Sequence, residues 1–248
     1  MKITSIAQRG FTLVELMIAL LIALFLIGGL VTLVGAMKIT FANQSGLSQL
    51  QESERMAMTL MTDVIESTGY FPNPLINAAT SSFPVTGAFT FAGQALVGTG
   101  TYADQTPGGQ TITVRYLTAG NDNVINCTGN TSNVAASFVN TFSIDANGNL
   151  NCTLILNGVA QAPIPLISGL NSMQIYYGVQ TNAALSNNSV DTYLDANAVA
   201  AGNYWSNVKS VQITLTLVNP LSGQSGQTNV PFITFTRVID VMYKNGVT

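Results

Sequence analysis

The sequence predicts an α+β fold in which a long N-terminal α-helix, part membrane span and part amphipathic, packs on an antiparallel β-sheet domain. Two patterns carry this prediction. Residues 16–37 contain no charged side chain, and apolar residues then recur at three- and four-residue steps as far as Ile65. Beyond residue 110, apolar and polar side chains alternate in several short runs, which is the period of a half-buried strand.

Three of these runs predict more specific structure. "TITVRYL" places Ile112, Val114 and Tyr116 on one face of a strand. "FVNTFSIDANGNLNCTLILNG" predicts a hairpin that turns near Asn147 and Gly148. The last strands, ending with "VPFITFTRVIDVMYKN", predict an antiparallel meander.

The composition argues against several classes of function. Only 8% of the 248 residues are charged and the net charge is −3, so no broad basic surface can neutralise nucleic-acid phosphates. The chain has no histidine, which removes histidine-based triads and most zinc sites. Because no other catalytic or cofactor motif takes their place, we expect neither an enzyme nor a bound cofactor.

The charge-free run is long enough to cross a membrane. Its 22 residues span about 33 Å as a helix, against a hydrocarbon thickness of about 30 Å. Lys2 and Arg9 precede the run, and this basic flank favours a cytoplasmic N-terminus with the rest of the chain outside. We therefore expect a single-pass membrane protein with the β domain on the outer side of the membrane.

Glu15 lies one turn inside the apolar segment, where a carboxylate is costly. One interpretation places it near the lipid headgroups, at an exposed helix start. The other holds that it is retained for a partner charge. The residues around it favour the second interpretation.

The stretch "QRGFTLVELMIALLIALFL" resembles the class III signal of type IV pilins and pseudopilins. The resemblance implies cleavage between Gly10 and Phe11 by a prepilin peptidase, followed by N-methylation of the new Phe11 amine. Glu15 would then pair with that amine, in its own chain or in the preceding subunit of a growing filament. Because an unpaired charge is expensive in a low dielectric, the pair would set the register between subunits.

Three glycines, Gly28, Gly29 and Gly35, interrupt the apolar helix. In related filaments this part of the helix unwinds locally, whereas small residues in a membrane helix also permit close helix packing. Both alternatives stay open. The helix then continues as an amphipathic segment that ends at Gly69 and the prolines after it.

The chain also resembles PilW-type minor pilins, which are related to J-type pseudopilins of type II secretion. The resemblance lies in the stretch "LSQLQESERMAMTLMTDVIESTGYF" and in "LISGLNSMQIYYGV" followed by "YWSNVKSVQITLTLVNP".

The predicted organisation has five parts. These are a leader at 1–10, a membrane or filament-core helix at 11–39, its amphipathic half at 40–70, a variable connection at 71–109 and a β domain at 110–248.

The two cysteines lie within the β domain. Cys152 shares the inward face of a strand, and Cys127 would reach it from the preceding loop. We expect a disulfide because the domain would lie in an oxidising compartment, and its loop closure would contribute about 3 kcal/mol. Two buried free thiols are the alternative.

Two other residue pairs are candidate sites. Tyr204 and Trp205 belong either to the core or to an interface with a neighbouring subunit. Asp191 and Asp195 could bind Ca²⁺, although solvated loop carboxylates are the simpler explanation.

The resemblance implies a minor pilin at or near the tip of a type IV pilus, where it helps to initiate assembly. It also implies that the chain spans the bacterial inner membrane with a periplasmic β domain before assembly and belongs to the pilus afterwards. The implied partners are other minor pilins, the major pilin, the prepilin peptidase, the inner-membrane assembly platform and a PilY-type tip adhesin. The alternatives are a J-type minor pseudopilin and, more remotely, a membrane-anchored binding ectodomain.

Overall fold

The N-terminal helix dominates the first part of the chain. The computed structural model describes residues 10–104, 108–182, 189–222 and 230–241. Helix α1 (Leu13–Glu66) begins in a first unit, residues 1–48, and ends in a second unit, residues 49–248. The predicted leader lies outside the described residues except for Gly10.

In the first unit α1 is long and apolar enough to span a membrane, and none of its most apolar window is buried. The large side chains from Leu13 to Phe41 are exposed. The helix is regular through Gly28, Gly29 and Gly35, and a Cβ added at any of them would meet nothing within 4 Å. Each of these three positions therefore has space for a neighbouring helix to approach closely.

In the second unit α1 buries one stripe of its surface, as its apolar periodicity predicts. Gln49, Gln51 and Glu52 lie on the exposed side, where Glu52 pairs with Arg55 at 2.9 Å. The buried side chains of α1 are Leu50, Ala57, Met58, Met61, Val64 and Ile65.

The chain leaves α1 through a glycine and attaches directly to the β region. Gly69 has a φ of 75°, which glycine adopts without steric cost. Its N–H donates to the Arg115 carbonyl at 2.9 Å, and the Leu117 N–H donates to the Tyr70 carbonyl at 2.8 Å. These two bonds hold the helix exit beside a strand of the first sheet. The connection that follows contains the short helix α2 (Ala79–Ser82).

The first sheet has six antiparallel strands in the order β1-β2-β3-β4-β5, with β6 also paired to β4. The sequence predicted the β3–β4 hairpin and its turn near Asn147 and Gly148, and the structure confirms both. The strands are β1 (Leu96–Thr99), β2 (Thr111–Thr118), β3 (Ala136–Ile144), β4 (Leu150–Leu156), β5 (Val159–Ala160) and β6 (Ile164–Ile167).

The second sheet has four antiparallel strands in the order β10-β9-β7-β8. Between β8 and β9 lie helix α3 (Ala196–Ala201) and a turn of 3₁₀ helix, Tyr204–Asn207. The predicted meander of the last strands is confirmed, because β9 pairs with both β7 and β10. The strands are β7 (Leu170–Val179), β8 (Thr192–Leu194), β9 (Val208–Val218) and β10 (Phe232–Asp240).

The α+β architecture predicted from the sequence is confirmed, but its division into two sheets was not predicted. The chain passes from one sheet to the other at Gly169, whose φ is 83°. Several contacts join the sheets, and two of them involve β7. The buried Ile175 N–H donates to the Gln110 side-chain oxygen at 2.8 Å, and Gly98 lies so close to the Tyr177 hydroxyl that a Cβ there would overlap it.

Candidate functional site

The bond predicted to be cleaved lies in exposed, non-helical chain. Gly10 is exposed, Phe11 is 82% exposed, and α1 begins only at Leu13. A peptidase needs an extended, accessible segment, and an α-helix would hide the scissile carbonyl in its hydrogen-bond ladder. The local backbone therefore suits the cleavage that the resemblance implies, and the processing itself stays a prediction.

Thr12 caps the start of α1, a role that the sequence analysis overlooked. Its hydroxyl accepts a hydrogen bond from the Glu15 N–H at 3.3 Å, and its carbonyl accepts one from the Leu16 N–H at 3.2 Å. This is an N-cap, and Thr12 with Glu15 has the spacing of a capping box. The signal was present in the sequence as a threonine followed three residues later by a glutamate.

The cap determines where Glu15 stands relative to the predicted amine. Because Thr12 caps the helix, Glu15 occupies the first turn, where the helix dipole favours a negative charge. Cleavage after Gly10 would leave the Phe11 amine one residue before the cap. Glu15 follows Phe11 by four residues, or roughly one turn. The carboxylate and the amine would thus lie at the same end of the helix.

The disulfide between Cys127 and Cys152 is present, as predicted. Both residues are fully buried, and their Cα atoms are 5.8 Å apart. Cys152 lies on the inward face of β4, and Cys127 belongs to the loop between β2 and β3. The Cys127 N–H also donates to the Asn140 side-chain oxygen at 2.8 Å. The bridge fastens a long loop to the interior of the first sheet.

Arg115 is a second residue that the sequence analysis overlooked. It lies on β2 with only 5% of its surface exposed, because the segment 83–94 covers it. The guanidinium donates to the backbone carbonyls of Phe83, Pro84 and Gln94, at 3.2, 2.8 and 2.7 Å. It also lies 4.1 Å from the centroid of the Phe89 ring.

The Arg115 environment contains no acid among these contacts. Burial lowers the pKa of the guanidinium to about 10, so it stays protonated at neutral pH. Carbonyl oxygens and aromatic faces stabilise the charge in place of a carboxylate. The alternation of "TITVRYL" places Arg115 on the face opposite Ile112, Val114 and Tyr116, and the long-range packing of the connection on β2 buries it there. Its role is to hold that connection in place.

Trp205 and Tyr204 differ in burial. Trp205 is 7% exposed and packs edge-to-face on Tyr177, with ring centroids 5.0 Å apart. Tyr204 is half-buried at the edge of the same cluster. Of the two predicted alternatives, this position places the indole in the core, where most of its surface contacts the chain itself.

Asp191 and Asp195, the calcium candidates, accept hydrogen bonds in two different places. Asp195 caps α3 by accepting from the Ala198 N–H at 2.8 Å, and it also accepts from the Tyr102 N–H at 3.2 Å. Asp191 accepts from the backbone N–H groups of Thr181 and Asn182. The Thr181 N–H contributes most to lowering the Asp191 pKa below its ordinary value.

These contacts give both carboxylates a role in shaping loops. Within the described parts of the chain, no group of three or more His, Cys, Asp or Glu side chains is placed to hold a metal ion. Calcium binding by Asp191 and Asp195 stays a prediction.

Comparison with known families gives two matches at opposite ends of the chain. The family described as Type IV Pilus-assembly protein W matches residues 130–245, which include β3 to β10. The Prokaryotic N-terminal methylation motif matches residues 6–31, which include the predicted cleavage site and Glu15. A comparison with curated proteins gives no match. Together the two family matches cover more than half of the chain.

Proposed function

Because the chain is a PilW-type minor pilin of the type IV pilin-like family, we propose that it is incorporated at or near the tip of a type IV pilus and helps to initiate pilus assembly. It acts by packing with other minor pilins in the inner membrane before the filament grows. Pilin-family domains are structural proteins, so the proposed function depends on how the chain packs with other subunits and in which register, and it involves no catalytic step.

One observation carries the proposal above all others. The same chain combines a prepilin motif with a β region of the PilW family. The first half of α1 supports it, since that half exposes apolar side chains along its described length. In a bilayer, lipid covers this surface, and in a filament, neighbouring helices cover it. The chain therefore needs one of these two environments.

The transfer from membrane to filament is proposed to depend on Glu15. After cleavage the Phe11 amine carries a positive charge at the helix tip. Pairing with its own Glu15 offsets that charge in the bilayer, and pairing with the corresponding glutamate of the next subunit fixes the register in the filament. Thr12 assists by holding Glu15 in the first turn of the helix.

The proposed partners follow from this route. Prepilin peptidase removes the leader on the cytoplasmic side, and the inner-membrane assembly platform receives the processed chain. Other minor pilins and the major pilin contact the helix and the β region, and a PilY-type adhesin binds at the tip. The β domain is periplasmic before assembly and lies on the pilus afterwards.

The test is the composition of sheared filaments. We expect the processed chain, beginning at Phe11, at low stoichiometry in the sheared fraction, and we expect deletion of its gene to abolish the filaments. A mass spectrum showing an uncleaved N-terminus at Met1 would contradict the proposal and favour an anchored ectodomain. Normal filaments in the deletion strain, together with a loss of protein secretion, would favour a J-type pseudopilin.

A further inference from the structure

Strand β10 forms an open end of the second sheet. It pairs with β9 from Phe232 to Asp240 without any shift of register. An edge strand offers unpaired backbone groups to another chain, and proteins commonly protect such edges with short strands, prolines, charged side chains or bulges. The nine residues of β10 contain no proline and no bulge, and their charged side chains are Arg237 and Asp240.

The ladder with β9 shows which backbone groups of β10 are free. The Asn219 N–H donates to the Pro231 carbonyl and the Val241 N–H donates to the Lys209 carbonyl, so the odd-numbered residues of β10 bond to β9. Backbone groups alternate sides along a strand. The outward N–H and C=O groups therefore belong to the even-numbered residues, which have no backbone partner among the described residues: Phe232, Thr234, Thr236, Val238 and Asp240.

The other sheet ends in the described structure are protected. Strand β8 is three residues long, and β1 has four, with the Leu96 carbonyl accepting from the Gln94 side chain. Strand β6 contains Pro165. Beyond the end of β8, the Gln110 side chain accepts from the buried Ile175 N–H of β7. Strand β10 alone among them is long, regular and uncovered, so its edge is available to another strand.

Arg237 indicates the chemistry of the occupant. It is an exposed residue of β10 and donates to the Thr62 hydroxyl at 3.3 Å, and no described carboxylate forms an ion pair with it. A strand added beside β10 would place a side chain directly next to Arg237 on the same face. A carboxylate at that position would be favourable, and a lysine or arginine would be repelled.

A second copy of this chain fits the edge poorly. The β10 side chains on the same face as Arg237 are Ile233, Phe235 and Ile239, and none is acidic. In any register, pairing two β10 strands would therefore leave both arginines without a carboxylate on their face. One register would also place the two arginines opposite each other. The charge therefore disfavours pairing of two β10 strands and favours a different strand that carries a carboxylate.

We propose that β10 binds an extended segment of another subunit of the same filament, which adds a strand to the second sheet and places a carboxylate beside Arg237. This inference rests on the proposed function for the source of the segment. Backbone hydrogen bonds to the even-numbered residues provide the affinity, and Arg237 provides the selectivity.

Site-specific cross-linking in cells that carry the filament system tests the proposal with the full chain. A photoreactive phenylalanine analogue replaces Val238, which is 52% exposed on β10, or Val218, which is 50% exposed on the neighbouring β9. We expect an adduct with another pilin from position 238, linked through an extended acidic segment, and little from position 218. The absence of an adduct at 238, or an adduct only with a second copy, overturns the proposal.

A proline tests the backbone contribution. Thr234→Pro removes one outward N–H without affecting the ladder to β9, and edge strands tolerate proline at such positions. Losing one hydrogen bond should lower the adduct yield from position 238 about twofold to tenfold. Formation of the Cys127–Cys152 disulfide in this variant reports that the domain has folded. An unchanged yield contradicts the proposed strand addition.

Charge reversal tests the selectivity. Arg237→Glu should reduce the adduct, and changing the cross-linked partner's carboxylate to arginine should restore it. Thr62→Val is the matched control, because it removes the same Arg237–Thr62 hydrogen bond and keeps the positive charge. An equal loss in both variants, or no rescue, contradicts the role of the Arg237 charge.

The two proposals can fail separately. The cross-link is measured in the membrane fraction before shearing, so it does not require the chain to enter a filament. If the chain is missing from sheared filaments while the adduct with a pilin persists, the tip function fails and the strand addition stands. If the chain is present in filaments and no adduct forms at position 238, the strand addition fails alone.

Discussion

The two ends of helix α1 have the same secondary structure and opposite burial. From Leu13 to Phe41 its large apolar side chains are exposed, whereas from Leu50 to Ile65 six of its side chains are buried. The first part leaves its apolar surface for lipid or other subunits, and the second part contributes to a core that the chain provides itself. One helix thus depends on two different environments, and changes in its two parts should have different consequences.

The largest effect is expected at Glu15. Glu15→Ala leaves the Phe11 amine without its partner, and an unpaired charge at a buried site costs about 3–5 kcal/mol, so incorporation into filaments should fall by more than tenfold. Quantitative immunoblotting of sheared filaments measures it. Glu52→Ala is the control on the second part of α1, where Glu52 is solvent-exposed and pairs with Arg55. Equal incorporation of the two variants contradicts the proposed role of Glu15.

A pair of methionines tests the buried part of the helix. Met61 is fully buried and Met56 is 54% exposed. Met61→Ala should lower the free energy of unfolding by about 2–5 kcal/mol, because it leaves a cavity under the helix, while Met56→Ala should change it little. Denaturant unfolding of the detergent-solubilised full chain gives both values. A similar loss in the two variants means that α1 does not pack as described.

The disulfide should matter only to the β region. Replacing Cys127 and Cys152 together by alanine removes a cross-link across 25 residues, and its loop-closure contribution is about 3 kcal/mol. We expect faster digestion of the β region by added protease and unchanged insertion of the apolar helix into membranes. A double variant as protease-resistant as the parent would show that sheet packing alone stabilises the loop.

The smallest effect is expected at the turn between β3 and β4. The Asn149 backbone N–H, its side-chain amide and other donors lower the pKa of Asp145 from 3.8 to about 2. The lowered folded-state pKa means that Asp145 stabilises the hairpin above pH 3.8, and this contribution is lost as the pH falls towards 2. Asp145→Asn should therefore make the thermal unfolding temperature fall less steeply with decreasing pH between about pH 4 and pH 2. If the variant loses stability in acid as steeply as the parent, other carboxylates cause the acid sensitivity.

Local patterns predicted a large part of this structure. The buried stripe of α1, the inward residues Ile112, Val114 and Tyr116 of β2 and the β3–β4 turn depend on residues a few positions apart. The disulfide was also predictable, since the chain has only two cysteines and one lies on an inward strand face. The Thr12 cap was readable but overlooked.

The remaining features depend on contacts between distant segments. Arg115 alternates with buried residues and so appears solvent-exposed in sequence, yet the segment 83–94 covers it. The burial of Trp205 against Tyr177 likewise joins residues far apart in the chain. Periodicity reports which face of an element is apolar and carries no information about the element that covers it.

The sequence by itself determined the apolar span, the position of Glu15 within it, the amphipathic stripe and the type of most elements. These follow from the helical period of 3.6 residues, the strand period of two, and the costs of burying charge. The tertiary structure alone decided that the strands form two sheets, that Gln110 bonds to one edge and that β10 has no second neighbouring strand among the described residues. Strand order is set by which apolar faces pack together across long stretches of chain. This choice is not visible in the hydrophobic periodicity of the sequence, which reports only on each element by itself.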